Sequence, residues 1–70
     1  MERSASSLLV EAAVVVSGKT GVPVEKVSDL TPLAPHAIAI CVECADRLKR
    51  AVVCNNIKMT FGDLRRQLGL

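Results

Sequence analysis

Aromatic residues are nearly missing from this 70-residue chain: Phe61 stands alone, with no tryptophan or tyrosine, and aromatics make up 1% of the sequence. Single-stranded nucleic acid is commonly held by stacking bases on aromatic rings, so that class of binder loses ground. A strong charge bias is missing too. Nine Lys and Arg against seven Asp and Glu leave a net charge of +2, and a pI of about 8.6 is too mild to announce a DNA-binding face. No apolar run approaches the roughly 20 residues of a membrane-spanning helix. The nearest candidate, Leu8 to Val16, is interrupted by Glu11 and followed by no clean small-x-small cleavage site. Three cysteines, Cys41, Cys44 and Cys54, form an odd set. They match a disulfide framework poorly, and reduced thiols in a cytoplasmic protein are the simpler reading. Gly-rich phosphate loops, metalloprotease helix motifs and nucleophile elbows are absent. With no nucleophile, base and orienting group in sight, the chain reads as a non-enzyme without a cofactor.

What is present is hydrophobic. An apolar share of 50% and a mean hydropathy of +0.37 argue against disorder. Residues 1–70 are expected to form one domain, with a marginal core, because so short a chain buries only roughly 60% of its unfolded surface. The expected fold class is all-α, a small bundle of three or four helices with Ile38, Cys41, Ala45, Leu48, Phe61, Leu64 and Leu68 in the core.

Four segments are legible. The first runs from about Ser4 to Ser17 as a helix, with Ser4, Ser6 or Ser7 available as N-cap and Gly18 as its stop. The β-branched run Val14-Val15-Val16 gives it a mild strand tendency. Leu8, Leu9, Val10, Val14, Val15 and Val16 occupy most sides of that helix. A helix apolar nearly all round is deeply buried or covered by another chain, so a homodimer or a complex through the first helix is expected. The second segment, Val22 to Ala34, is a loop punctuated by Pro23, Pro32 and Pro35. At most it holds one helical turn near Val24-Glu25-Lys26-Val27, and Thr31-Pro32 looks like an N-cap and first helical position. The third, about Pro35 to Val52, is the strongest helix, with Ile38, Cys41, Ala45, Leu48 and Val52 as its stripe, Cys44, Ile40 and Ala51 widening that face on one side, and Glu43 placed to pair with Arg47. The last opens at Thr60-Phe61-Gly62-Asp63, a capping box with Asp in the usual Glu place, and ends at Gly69. A β-hairpin over 52–59 around Asn55-Asn56 competes with a plain connector.

Three stretches carry a family likeness. Gly21-Val22-Pro23-Val24-Glu25-Lys26-Val27, the run Ile38 to Leu48, and Thr60-Phe61-Gly62-Asp63-Leu64 resemble, respectively, the post-helix-one stretch, the second helix and the last-helix opening of acyl and peptidyl carrier proteins. The resemblance covers nearly the whole chain, and each motif is short. It implies a carrier-like helical fold and a protein partner, an enzyme or scaffold of fatty acid, polyketide or nonribosomal peptide type biosynthesis. Two departures qualify it. Carriers attach phosphopantetheine to a serine in an Asp-Ser-Leu motif at the start of the second helix, where this chain reads Pro32-Leu33-Ala34-Pro35-His36. Ser28 lies too close to the Val27 anchor to be that residue without giving the anchor up. The second helix, acidic in carriers, here carries Arg47, Lys49 and Arg50. The resemblance therefore implies a carrier-like module without the phosphopantetheine arm.

The remaining candidates each have a plain alternative. His36, Cys41, Cys44 and Cys54 are zinc-type ligands, but Cys41-x-x-Cys44 lies inside an apolar stripe, where cysteine behaves as a small hydrophobe. Arg47, Arg50, Arg65 and Arg66, with Lys49 and Lys58, form either a solvated surface or a face for an acidic partner or phosphate. The competing functional reading is a small helical DNA-associated or regulatory protein using that basic surface. Thr60 to Leu70 also looks like the first helix of a helix-turn-helix, whose recognition helix would have to follow.

Overall fold

The first helix begins where its cap predicts. In a computed structural model, which describes residues 4–54 and 56–70, the Ser4 side chain accepts a hydrogen bond from the Ser7 N–H at 3.2 Å. Helix α1 then runs Ala5–Thr20. Gly18 does not stop it. The last turn is held by burial of Val15 and Val16 and by the Thr20 hydroxyl, which donates to the Val16 carbonyl at 2.8 Å. Termination falls instead at Gly21, whose φ of 81° supplies the left-handed residue that closes the helix on the Ser17 carbonyl. Val14-Val15-Val16 is helical, its strand tendency overridden by packing.

A 3-10 turn, Val24–Lys26, follows Pro23, as expected of that stretch. Helix α2 spans Ala37–Leu48 and helix α3 spans Phe61–Leu68. Among the described residues there are three α-helices and no strand, so the chain is all-α. Helix α1 is the central element, touching α2, the 3-10 turn and α3. No helix among the described residues is long and apolar enough to cross a membrane.

Helix α2 is shorter than its apolar stripe implies. Lys49 adopts a left-handed φ of 56°, and the N–H groups of Lys49 and Arg50 both turn back to the Ala45 carbonyl. Val52 leaves the helix but still packs against the core. The buried stripe lies on the side of the expected face that Ile40 and Cys44 widen. Ala37, Ile40, Cys41, Cys44 and Leu48 are buried, Ala45 is half-buried, and Ile38 is 63% exposed. Both sets follow three- and four-residue spacing, and docking on α1 selects the one containing Ile40.

The loop before α2 is ordered by α3. Thr31 is not a helix cap: its side chain, buried, accepts from the Ser28 N–H at 2.9 Å. Pro32, in place of starting a helix, forms an isolated antiparallel bridge with Thr60. Around that bridge the Leu33 N–H bonds the Met59 carbonyl at 3.2 Å, and the Phe61 N–H bonds that of Thr31 at 2.8 Å. The Gly62 N–H reaches the Asp29 carbonyl at 3.0 Å. The first N–H groups of α3, which no helical partner can satisfy, are thus taken by the loop. The expected capping box is present: the Asp63 carboxylate accepts from the Thr60 N–H at 2.9 Å. No hairpin forms over the described part of 52–59, and Asn55, at its centre, lies outside the described residues.

Two glycine substitutions should act in opposite directions. A Cβ on Gly62 would stand 2.9 Å from both Cβ and the carbonyl oxygen of Asp29, so Gly62→Ala forces the loop off α3. Its expected loss is about 1–3 kcal/mol in chemical denaturation. Gly18 is helical with open space around its Cβ position, and Gly18→Ala should gain about 0.5–1 kcal/mol.

Acid should loosen the same junction. The Arg65 guanidinium, forked onto Asp29 at 3.0 and 3.1 Å, holds that carboxyl below its ordinary range. The Thr60 N–H and Arg66 do the same for Asp63. Both groups are depressed in the folded state, so their contribution is complete above the unfolded carboxylate value of about 3.9 and is lost as pH falls through the lower folded values. Thermal midpoints followed by circular dichroism should be level from neutrality to about pH 5 and fall below about pH 4. Asp29→Asn should lower the neutral midpoint and flatten the acid slope. An unchanged acid slope in that variant would remove the Asp29 contribution.

Candidate functional site

Most of the basic side chains are paired. Arg47 pairs with Glu43 one helical turn back at 3.0 Å, and Lys19 of α1 reaches the same carboxylate at 3.6 Å. Arg65 is bound to Asp29 and also donates to the Leu70 carbonyl at 3.0 Å. Arg66 pairs with Asp63 at 2.7 Å, Lys49 with Asp46 at 3.8 Å, and Arg50 donates to the Leu68 carbonyl. These cations lie on three helices and the turn after α2, each beside an acceptor, with Glu43 shared by two of them. Exposed pairs of this kind add little to stability. They do neutralise charge that a phosphate backbone would need.

The apolar candidates divide. Leu8 is buried in the core and Leu9 is half-buried against it, so Leu8 cannot contact a partner. Val10 at 56% and Val14 at 44% exposure face outward. The two remaining large apolar side chains of the outer surface of α2, Ile38 and Val42, are just as open. They were not legible as surface residues, because Ile38 satisfies the helical spacing of a core position. Leu30, Val53 and Ile57 are also well exposed in the loops.

Between α1 and α2 lies an open groove of about 270 Å³, lined by Val14, Val15, Gly18, Lys19, Glu43 and Arg47. It joins the outward valine of α1 to the charged flank of α2. Two cations share one carboxylate there, which leaves the groove wall with a positive excess. Of the residues expected at an interface, the groove brings together Val14 and Arg47. Arg50, Arg65 and Arg66 do not line it.

The sulfur residues lie in or against the core. Cys41 and Cys44 are buried and Cys54 half-buried. The Cys41 thiol donates to the Met59 sulfur at 3.7 Å. Burial, reinforced by Cys54, pushes the Cys41 thiol up to about 11, and burial with nearby Cys41 and Glu43 pushes Cys44 up to about 12. Both are therefore protonated core thiols at neutral pH. His36 sits exposed at the N-cap of α2 without a side-chain capping bond. Among the described residues no three His, Cys, Asp or Glu side chains are grouped to hold a metal ion.

Ser28 is exposed in the Ser28–Thr31 turn, nine residues before α2 begins. The start of α2 itself reads Pro35-His36-Ala37 and presents no hydroxyl. No family model, no curated protein and no solved structure matches this chain.

Proposed function

We propose that this chain is a carrier-protein-like accessory module that works by binding. Its partner is an enzyme or scaffold of a fatty acid, polyketide or nonribosomal peptide type pathway. It carries no phosphopantetheine arm and performs no chemistry of its own. One observation carries the reading: α2 turns an apolar pair, Ile38 and Val42, outward at 63% and 64% exposure. A helix serving only as scaffold would present charge at those positions. Apolar surface of this kind more often marks an interface than an accident.

Support comes from three further features. The order of a long first helix, a Pro-punctuated loop, a second helix and a Thr-capped last helix matches the carrier resemblance. The hydroxyl that would accept phosphopantetheine has no counterpart at His36 or Ala37. The outward Val10 and Val14 of α1 offer a second contact surface beside the groove, suited to self-association of the chain.

Four measurements test the proposal. Immobilised protein should retain a purified phosphopantetheine-dependent biosynthetic enzyme from a panel. Ile38→Glu combined with Val42→Glu should weaken that binding at least tenfold, with helicity unchanged, since both side chains are exposed. Duplex-DNA affinity that falls steeply with salt, with no enzyme retained, would replace the proposal by the DNA-associated reading. Intact mass after incubation with coenzyme A and a broad-specificity phosphopantetheinyl transferase should not change. A gain would place an arm on Ser28 or an N-terminal serine. For self-association, light scattering should give more than one chain per particle at high micromolar concentration. Val10→Glu with Val14→Glu should return it to a monomer.

A further inference from the structure

Helix α1 carries a ridge that the fold leaves bare. Val10, Val14 and Gly18 follow one another at one-turn spacing, and all three are exposed. The ridge is uneven. Its two valines stand out, while nothing lies within 4 Å of the place a Cβ would take at Gly18. That notch belongs to the wall of the groove of about 270 Å³ between α1 and α2. The ridge therefore has a knob at Val10 and a hole at Gly18, one turn to either side of Val14.

The charges along the groove flank of α1 have a direction. Glu11, four residues before Val15, lies toward the N-terminal end. Lys19 lies toward the other end, where it shares the Glu43 carboxylate with Arg47, at 3.6 and 3.0 Å. An acidic end and a cation-rich end on one flank are complementary to each other under a two-fold rotation.

We propose that the occupant of this groove is α1 of a second copy of the chain, antiparallel about a two-fold axis at Val14. In that register Val14 meets Val14 of the second copy, and Val10 of each copy faces Gly18 of the other. The valine enters the space that the missing side chain leaves. Glu11 then lies opposite Ser17 of the second copy, about 3 Å of helix rise from its Lys19. It brings the groove a second carboxylate for the two cations that share Glu43. Both ends of the seam are completed together, because the two-fold repeats every contact. A register one turn further along would seat Val14 on Gly18 but leave Val10 beyond Thr20, where the second helix ends. The pairing centred on Val14 covers both valines. It needs no rearranged fold, since Val10, Val14 and Gly18 are already exposed.

This inference rests on the self-association proposed above and fixes its register; the identity of the enzyme partner does not enter it. A seam of about three helical turns is small for a protein interface, so the dimer should dissociate on dilution.

The test is sedimentation equilibrium of the full, reduced chain from low to high micromolar concentration, where a monomer–dimer equilibrium is expected. Gly18→Leu should raise the dissociation constant at least tenfold with the helical spectrum kept, because that position is open in the single chain. Glu11→Lys and Lys19→Glu should each weaken the dimer, and an equimolar mixture of the two should recover it as a heterodimer. Val14→Cys, mildly oxidised at high micromolar concentration, should give a dimer linked through position 14 by peptide mapping. A dimer that Gly18→Leu leaves equally tight, or that does not link through position 14, would overturn the register while self-association stands. A chain monomeric throughout would overturn self-association as well, leaving the enzyme-binding reading to its own assay. A monomer whose Gly18→Leu variant loses the biosynthetic enzyme would give the groove to that partner and overturn the second copy as its occupant.

Discussion

The fold turns on the line of backbone hydrogen bonds between 29–33 and 59–62. Helix α3 has eight residues, too few to persist by propensity alone. Its first N–H groups go to the carbonyls of Thr31 and Asp29, its Asp63 closes back on Thr60, and its Arg65 forks onto Asp29. The close approach requires glycine at 62, since any side chain there meets Asp29 at 2.9 Å. Once the ladder is made, Leu33 and Met59 are placed inside and the start of α2 follows four residues later. A loop that would otherwise be free to wander becomes the hinge that sets α2 across α1.

A second constraint follows from size. Helix α1 is apolar on most of its circumference, and this short chain cannot cover it. Leu8, Ala12, Ala13, Val15 and Val16 are buried, and Val10 and Val14 stay in water. Alanines at 12 and 13 let the neighbouring elements come close to the helix axis, which favours a tight core at the expense of coverage. Helix α2 meets the same limit with Ile38 and Val42. Apolar area left in water contributes nothing to folding. It remains available to association at roughly 25 cal/mol per Å² covered, and this is the physical ground for reading the chain as a binding module.

Local signals were legible in the sequence where the physics is local. Ser4 as N-cap, the Thr60–Asp63 capping box, the Glu43–Arg47 pair and the turn after Pro23 each depend on residues within four positions. Signals that depend on packing were not. Gly18 and Gly21 are both plausible helix stops, and the choice between them rests on whether Val15 and Val16 are buried. The two stripes of α2, one with Ile38 and one with Ile40, differ by part of a turn, and only the position of α1 separates them. Thr31-Pro32 has the composition of a helix start, yet its conformation is set by Thr60, far along the chain. The partner of Arg65 lies thirty-six residues away at Asp29, beyond the reach of any spacing rule. The candidate surface was half legible for the same reason: Val10 and Val14 could be placed outside by counting faces, Ile38 and Val42 could not.

Charge then separates the two functional readings. A protein that grips a phosphate backbone gains from each cation it brings unneutralised, because every contact releases a counterion. Here Lys19, Arg47, Lys49, Arg65 and Arg66 stand beside carboxylates, and Arg50 is spent on the end of α3. Moving Lys19 or Arg65 to phosphate would break a contact between α1 and α2 or between α3 and its loop. The apolar positions carry no such conflict, since Val10, Val14, Ile38 and Val42 are already exposed. A surface whose charges are mostly paired and whose apolar area is open discriminates partners by shape and desolvation, with its paired charges setting register at the rim. That combination suits a protein partner better than a nucleic acid.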